Sequence, residues 1–356
     1  QRVEIIRCLL QEPKLLIMDE PTSVLTPQEV TTLFTTLRKL KAEGTSILYI
    51  SHKLEEIRAL CETATILRGG KKVATCDPRK KSARELAEMM VGGTLNSAKA
   101  KKTTLGEVVL KVSELSLPPQ SAFGTSLKNI AFQLHKGEIL GIGGVAGNGQ
   151  DELLACLSGE VKTTGDAIQL NGVSLGNMLP NVRRALGVLA APEERLGHAA
   201  APDMSLTENA MLTAMTRQNL SKSGFLDWPR AKAFAEQVIS QFDVRTPGPQ
   251  SAARSLSGGN LQKFVIGREV LQDPEVLIVN QPTWGVDAAA AADIRQALLD
   301  LATKGAAVIV ISQDLDELME ISTSFAALNT GRLSAARPMA ELSLDEIGLL
   351  LGGADA

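Results

Sequence analysis

Two apolar runs, LLIM at 15–18 and VLIV at 276–279, end alike: two polar residues, then Pro-Thr. Each run has strand length, and turn chemistry follows it. Behind the first comes an amphipathic stretch over roughly 27–43, which predicts a helix. A second apolar run, ILYIS at 47–51, follows, and then another helical stretch begins near Lys53. Strands alternating with helices predict an α/β fold, a parallel sheet covered by helices. Sites in such folds gather at the carboxyl ends of strands. Asp19, at the end of what reads as a buried strand, Glu20 and His52 fall there, and so do Asn280, Gln281 and Gln313.

The correspondence extends well beyond Pro-Thr. QRVEIIRCLLQEPKLLIMDEPT (1–22) aligns with QKFVIGREVLQDPEVLIVNQPT (262–283) at an offset of 261, and ten of the 22 positions are identical. The register holds without a gap for about fifty residues, bringing Gly44 onto Gly305 and Glu56 onto Glu317. That period is far too long for a solenoid unit, so the chain reads as a tandem duplication of a domain. At the strand ends one copy carries carboxylates, Asp19 and Glu20, and the other the matching amides, Asn280 and Gln281.

The second copy has an upstream part with no counterpart before residue 1. EILGIGGVAGNGQD (138–151) reads as a strand, a glycine-rich turn and the start of a helix. On the phosphate-loop pattern GxxxxGK[ST] it places Gly144 and Gly149 correctly, with Gly147 between them, but puts Gln150 for the lysine and Asp151 for the Ser/Thr. AIQLNGVSL (167–175) predicts a hairpin turning at Asn171-Gly172. A helical stretch is expected over about 205–242, then LSGGN at 256–260 opening an amphipathic helix. The expected organisation is the rear part of a first domain over 1–93, a linker over 94–106 (TLNSAKAKKTTLG) and a second, degenerate domain over 107–352. The chain starts at Gln1 and reads as a fragment whose first phosphate loop lies upstream. As such it is expected to be inactive alone. The tail LLLGGADA reads as a frayed end.

Composition narrows the classes. The chain is 44% hydrophobic and 22% charged, ordinary for a soluble globular protein, and its net charge of -3 comes from well-mixed signs. A nucleic-acid surface usually shows as a basic excess, so none is expected. Lys71-Lys72 and Arg79-Lys80-Lys81 are short enough to be a solvated face. Cys8, Cys61, Cys76 and Cys156 form no CxxC pair and read as buried thiols. No apolar run approaches the roughly 18 residues of a membrane helix, so any membrane role is expected to be peripheral.

The candidate chemistry lies in a few residues. Asp19 suits Mg²⁺, directly or through water, because hard cations take carboxylate oxygens. Glu20 suits the orientation or deprotonation of an attacking water. His52 at the next strand end suits a γ-phosphate. Ser257, Gly258 and Gly259 open a helix, where hydroxyl, amide N–H groups and helix dipole favour a phosphate. The plainer alternatives are a strand cap before a proline turn, a structural histidine and a serine N-cap.

LSGGN, the helix behind it, a strand ending in Asp-Glu and Pro-Thr and a strand ending in Ser-His form an ordered set that resembles the ABC-type ATPases over essentially the whole chain. The tandem layout, VLTPQE (24–29), GNGQ (147–150) and APEER (191–195) are similar to the double-ABC subunits of bacterial importers for simple sugars and nucleosides, and favour the nucleoside side. The resemblance implies a P-loop NTPase fold with a helical subdomain, with ATP and Mg²⁺ as cofactors. It also implies halves that pair head to tail, within one chain or in a dimer of chains, each ATP lying between one phosphate loop and the other half's LSGGx turn. One composite site would use Asp19, Glu20 and His52, closed by Ser257, Gly258, Gly259 and Asn260. The other, with Gln150, Asp151, Asn280, Gln281 and Gln313, would be degenerate. Implied partners are two transmembrane permease subunits and an extracytoplasmic substrate-binding protein, at the cytoplasmic face of the bacterial inner membrane. The sequence departs from the family at Thr26, where the second copy keeps Asp287, and it offers no convincing aromatic for adenine. The rival readings are a soluble twin-ABC protein acting on ribosomes or nucleic acid, and a non-hydrolysing interaction protein.

Overall fold

Period-2 alternation governs the first strands. In the computed structural model, which describes residues 7, 13–22, 27–51, 53–68, 70–91, 105–121 and 124–353, β1 (Leu15–Asp19) pairs in parallel with β2 (Ser46–Ile50), Leu16 opposite Ile47 and Met18 opposite Tyr49. Leu16, Met18 and Tyr49 point to one face. There they are buried with Leu33, Phe34 and Leu37 of α1 (Pro27–Ala42). Phe34 meets the Tyr49 ring edge-on at 6.3 Å. The other face carries Leu15, Ile17, Leu48 and Ile50, which are 46–59% exposed. β1 is therefore buried on one side only, not on both as its apolar run suggests, because no described residue packs on the second side. The unit continues through α2 (Leu54–Leu60), the antiparallel pair β3 (Ala64–Arg68) and β4 (Lys71–Cys76), and α3 (Ala83–Val91).

The chain divides into two compact units near residue 97. The second unit begins with β5 (Val108–Leu117), β6 (Leu127–His135) and β7 (Ile139–Gly143), then α4 (Gln150–Ser158), β8 (Ile168–Leu170), β9 (Val173–Ser174), α5 (Pro180–Leu186) and β10 (Val188–Ala191). Next come α6 (Leu206–Ala214), β11 (Ser221–Lys222), β12 (Phe225–Leu226), α7 (Trp228–Gln241) and α8 (Gly258–Val270). It ends with β13 (Val276–Asn280), α9 (Ala288–Thr303), β14 (Ala307–Ser312), α10 (Leu315–Ile321), β15 (Ser324–Asn329), β16 (Arg332–Leu333), β17 (Arg337–Pro338) and α11 (Leu344–Leu351).

Its main sheet runs β10-β13-β14-β7-β15-β16, with β17 beside β15, and the first five strands are parallel. Both faces are covered, which explains the unbroken apolar runs. Leu277, Val279, Val308 and Val310 pack on one side with Leu261, Phe264 and Val265 of α8. Val276, Ile278, Ile309 and Ile311 pack on the other with Leu153 and Leu157 of α4 and with a four-stranded antiparallel sheet, β6-β5-β8-β9. Asn171 and Gly172 turn β8 into β9 with φ of 49° and 80°, as an Asn-Gly turn requires.

Three expectations need correction. The helical stretch over 205–242 is two helices with a β11–β12 hairpin between them. Ser223 and Gly224 take positive φ at its tip, and Asp227 caps α7 by accepting from Arg230 N. Helix α8 is not amphipathic: every residue from Leu261 to Glu269 is buried, charged ones included. In the tail, Leu349–Leu351 belong to α11, whose N-terminus is held by a capping box of Ser343 and Glu346. Among the described residues no helix is long and apolar enough to cross a membrane.

Candidate nucleotide-binding site

In the second unit β7 delivers the chain into the glycine loop at Gly144. The loop ends at Gly149, whose φ of 112° only glycine adopts freely and which lets α4 start at once. The Gln150 side chain then folds back onto its own loop. Its Oε1 accepts from Asn148 N at 3.0 Å and its Nε2 donates to the Val145 carbonyl at 2.8 Å. Asn148 also ties the loop to a neighbouring turn, accepting from Thr330 N at 2.7 Å. The position where the phosphate-loop pattern puts a lysine thus holds a buried amide that satisfies the loop's own backbone. Asp151 beside it accepts from Asn280 Nδ2 at 3.0 Å. Burial and then the neighbouring Glu152 push its pKa up, and burial and then Asp151 do the same to Glu193. Asn280 Oδ1 is buried without a partner. With Gln150 and Asp151 at the lysine and Ser/Thr positions, the loop over 144–151 presents no cationic side chain to a Mg²⁺-bound triphosphate.

The strand ends of the two units have the same local geometry. Glu20 has φ of 45° and its N–H donates to Ile50 O at 2.9 Å; Gln281 has φ of 52° and its N–H donates to Ile311 O at 2.8 Å. All four positions obey the 261-residue offset. In the first unit the Ser51 hydroxyl donates to Glu20 Oε2 at 3.3 Å. Behind it Glu56 accepts from Thr22 Oγ1 and from the Tyr49 phenol, both at 2.6 Å. Asp19 stands exposed at the end of β1. This open, carboxylate-bearing strand end fits a hydrated divalent cation. His52 lies outside the described residues.

In the second unit Gln281 Oε1 has only long contacts, 3.5 Å from Ser312 Oγ and 3.4 Å from Gln313 N. Ser312 Oγ is closer to Glu317 Oε2, at 2.8 Å. Burial pushes the Glu317 carboxyl up to about 7. Its unfolded pKa is about 4.3, so its stabilising contribution is complete below that value and is lost as pH rises through about 7. Glu317→Gln is expected to flatten the stability profile between pH 5 and 8, read from urea midpoints. An unchanged slope would mean that Glu317 is solvated.

Ser257 sits at the N-cap of α8, but its hydroxyl accepts from Asn260 Nδ2 at 2.9 Å and not from a backbone amide. Asn260 Oδ1 in turn accepts from Arg245 N at 2.8 Å. Gly258 faces Arg195, whose guanidinium would lie 2.7 Å from an added Cβ; no other residue fits there without displacing it. Arg195 donates to Gln262 Oε1 at 2.9 Å and to the Trp284 carbonyl, and lies 5.8 Å from the Trp284 ring centroid. A cavity of about 800 Å³ opens between Asp151, Glu193, Arg195, His198 and Gly258. Arg195 and Trp284 were not among the expected site residues, though the APEER stretch marked the segment. Tyr49 and Glu317 were missed because their roles arise across elements. Among the described residues no three His, Cys, Asp or Glu side chains gather as a metal site.

Residues 127–284 match the model of the ABC transporter family. The chain is 38% identical over 360 residues to the glucose import ATP-binding protein TsgD13 of Haloferax volcanii, covering 100% of this chain and 65% of the relative. It is 36% identical over 354 residues to the nucleoside import ATP-binding protein NupA of Lactococcus lactis, covering 99% and 70%. With the galactose/methyl galactoside import ATP-binding protein MglA of Escherichia coli it shares 38% over 335 residues, 94% and 65%. The chain thus spans about two-thirds of the length of these curated relatives. Among solved structures, an ATP-binding subunit of an ABC transporter superposes with a TM-score of 0.56 at 23% identity, covering 68% of this chain and 99% of that one. A nucleotide-free ATP-binding cassette gives 0.54 at 18%, covering 69% and 96%. These likenesses establish the P-loop ATPase fold. Matched over 99% of its own length to a relative of which it covers 70%, this chain belongs to the ATP-binding proteins of ABC transporters.

Proposed function

We propose that the protein powers import of a nucleoside or simple sugar by hydrolysing ATP at one competent site, its second site being degenerate. The observation that carries this reading is that two units share one turn geometry while one presents Asp19 and Glu20 and the other Asn280 and Gln281. Asp19 would hold Mg²⁺, directly or through water. Glu20, next to it, orients the attacking water and takes its proton. His52 would contact the γ-phosphate, and the turn of Ser257, Gly258 and Gly259 presents amide N–H groups to phosphate. Bound Mg²⁺-ATP would supply the phosphoryl group and neutralise its charge. At the degenerate site Gln281 has no basic oxygen, and Gln150 gives the loop an amide where a cation would face phosphate.

The partners we propose are two membrane permease subunits and an extracytoplasmic substrate-binding protein, with this chain peripheral on the cytoplasmic side. The full-length protein, assembled with its permease in vesicles containing ATP, is expected to drive ATP-dependent uptake of labelled nucleoside or sugar. Hydrolysis stimulated by RNA and abolished by salt, with no uptake, would instead support action on nucleic acid.

A further inference from the structure

We propose that Tyr49 and Ser51 are positioning residues for Glu20: the Tyr49 phenol occupies Glu56 Oε2, which leaves the Ser51 hydroxyl proton for Glu20. This rests on the reading of Glu20 as the group that acts on water.

The two units differ at the positions that decide where this proton goes. A serine hydroxyl has one proton to donate. In the second unit Ser312 is 2.8 Å from Glu317 Oε2 and 3.5 Å from Gln281 Oε1, so its proton goes to Glu317. Thr283, the counterpart of Thr22, faces the Glu317 carboxyl but lies beyond normal hydrogen-bond distance of Oε1, and the residue at the tyrosine position is Val310, which has no donor. In the first unit Glu56 is served twice, by Thr22 on Oε1 and by Tyr49 on Oε2, each at 2.6 Å. Ser51 donates instead to Glu20 Oε2 at 3.3 Å. In both units the next-but-one backbone N–H, Lys53 N or Asp314 N, donates to the serine oxygen at 3.0 Å. The serines are therefore anchored alike, and what differs is where the hydroxyl proton points. Tyr49 decides it.

Burial, and after it the Glu56 carboxylate, push the Tyr49 pKa up, so the phenol remains a donor across the physiological range. The titratable groups around Glu20 among the described residues are Asp19 on β1, Tyr49 on β2, and Glu56 on α2 with Lys53 3.9 Å from it. Ser51 thus fixes the Glu20 carboxylate through Oε2 and sets which oxygen is turned away from the serine.

The test is steady-state ATP hydrolysis by the full-length chain with its membrane partners, with kcat and KM for ATP read separately. Tyr49→Phe keeps the ring against Phe34 and removes only the hydroxyl; Ser51→Ala removes the donor. Each is expected to lower kcat about tenfold with KM for ATP unchanged, and Ser51→Thr, which keeps the hydroxyl, to retain most of it. The double variant should be no worse than Ser51→Ala, since both act on one proton. If Tyr49→Phe unfolds, Ser51→Ala alone decides. An unchanged kcat in Ser51→Ala, with Glu20→Gln inactive, overturns this inference and leaves Glu20 standing. Full activity in Glu20→Gln overturns the reading of Glu20, and this inference with it.

Discussion

Glu20→Gln is expected to lower steady-state ATP hydrolysis by about 10²–10⁴-fold, while Gln281→Ala leaves it within about twofold. The first variant changes one oxygen for an NH₂ group and little else. The second unit shows that the turn accepts the change: with Gln281 in place it keeps φ at 52° and the N–H bond to the facing strand at 2.8 Å. A loss in Glu20→Gln is therefore a loss of chemistry and not of fold. Gln281 contributes only contacts of 3.4 and 3.5 Å, at the limit of a hydrogen bond. Its side chain can go with little consequence. The measurement is the hydrolysis rate of the full-length chain with its membrane partners. Equal losses in the two variants would overturn the assignment of a single live site.

What could be read from sequence follows from what kind of contact each feature depends on. The strands, the glycine loop and the helix start at LSGGN were legible because they depend on period and local backbone demands. The repeat at an offset of 261 made the second stretch a check on the first. Contacts between elements were not legible. Loss of the phosphate-loop lysine was plain from Gln150, but not that its amide would bridge Asn148 N and Val145 O. Tyr49 read as one more apolar strand residue, since its partner Glu56 lies on the following helix. The β11–β12 hairpin was hidden because its strands have only two residues each, too few for a period to show. The helix behind LSGGN reads as amphipathic, whereas its Arg268 and Glu269 are both buried.

That buried pair leads to the largest expected change in stability. Glu269 is fully enclosed and accepts from Arg268 Nε at 2.9 Å, from Arg184 and from Gln272 Nε2 at 3.2 Å. Arg268 goes on to donate to Asn209 O at 3.2 Å and Ala199 O at 2.8 Å, and Arg184 to Thr213 O at 3.1 Å. One carboxylate thus holds two guanidinium groups that join α8 to α5, α6 and the loop before α6. Replacing a whole buried ion cluster by apolar groups often costs little, but removing the anion alone strands two cations. Glu269→Ala is expected to destabilise the fold by about 3–5 kcal/mol, read from urea unfolding midpoints. The pH dependence gives an independent sign. Burial alone would raise the Glu269 pKa, but Arg184 and Arg268 outweigh it and hold the carboxyl below its usual range. Its contribution is therefore present above about pH 4.3 and is lost as pH falls through the lower folded value. The wild type should lose stability on acidification, and Glu269→Ala, having started lower, should lose less. A variant within about 1 kcal/mol of wild type, with an unchanged acid limb, would mean that water reaches both guanidinium groups and that α8 is held by its apolar contacts alone.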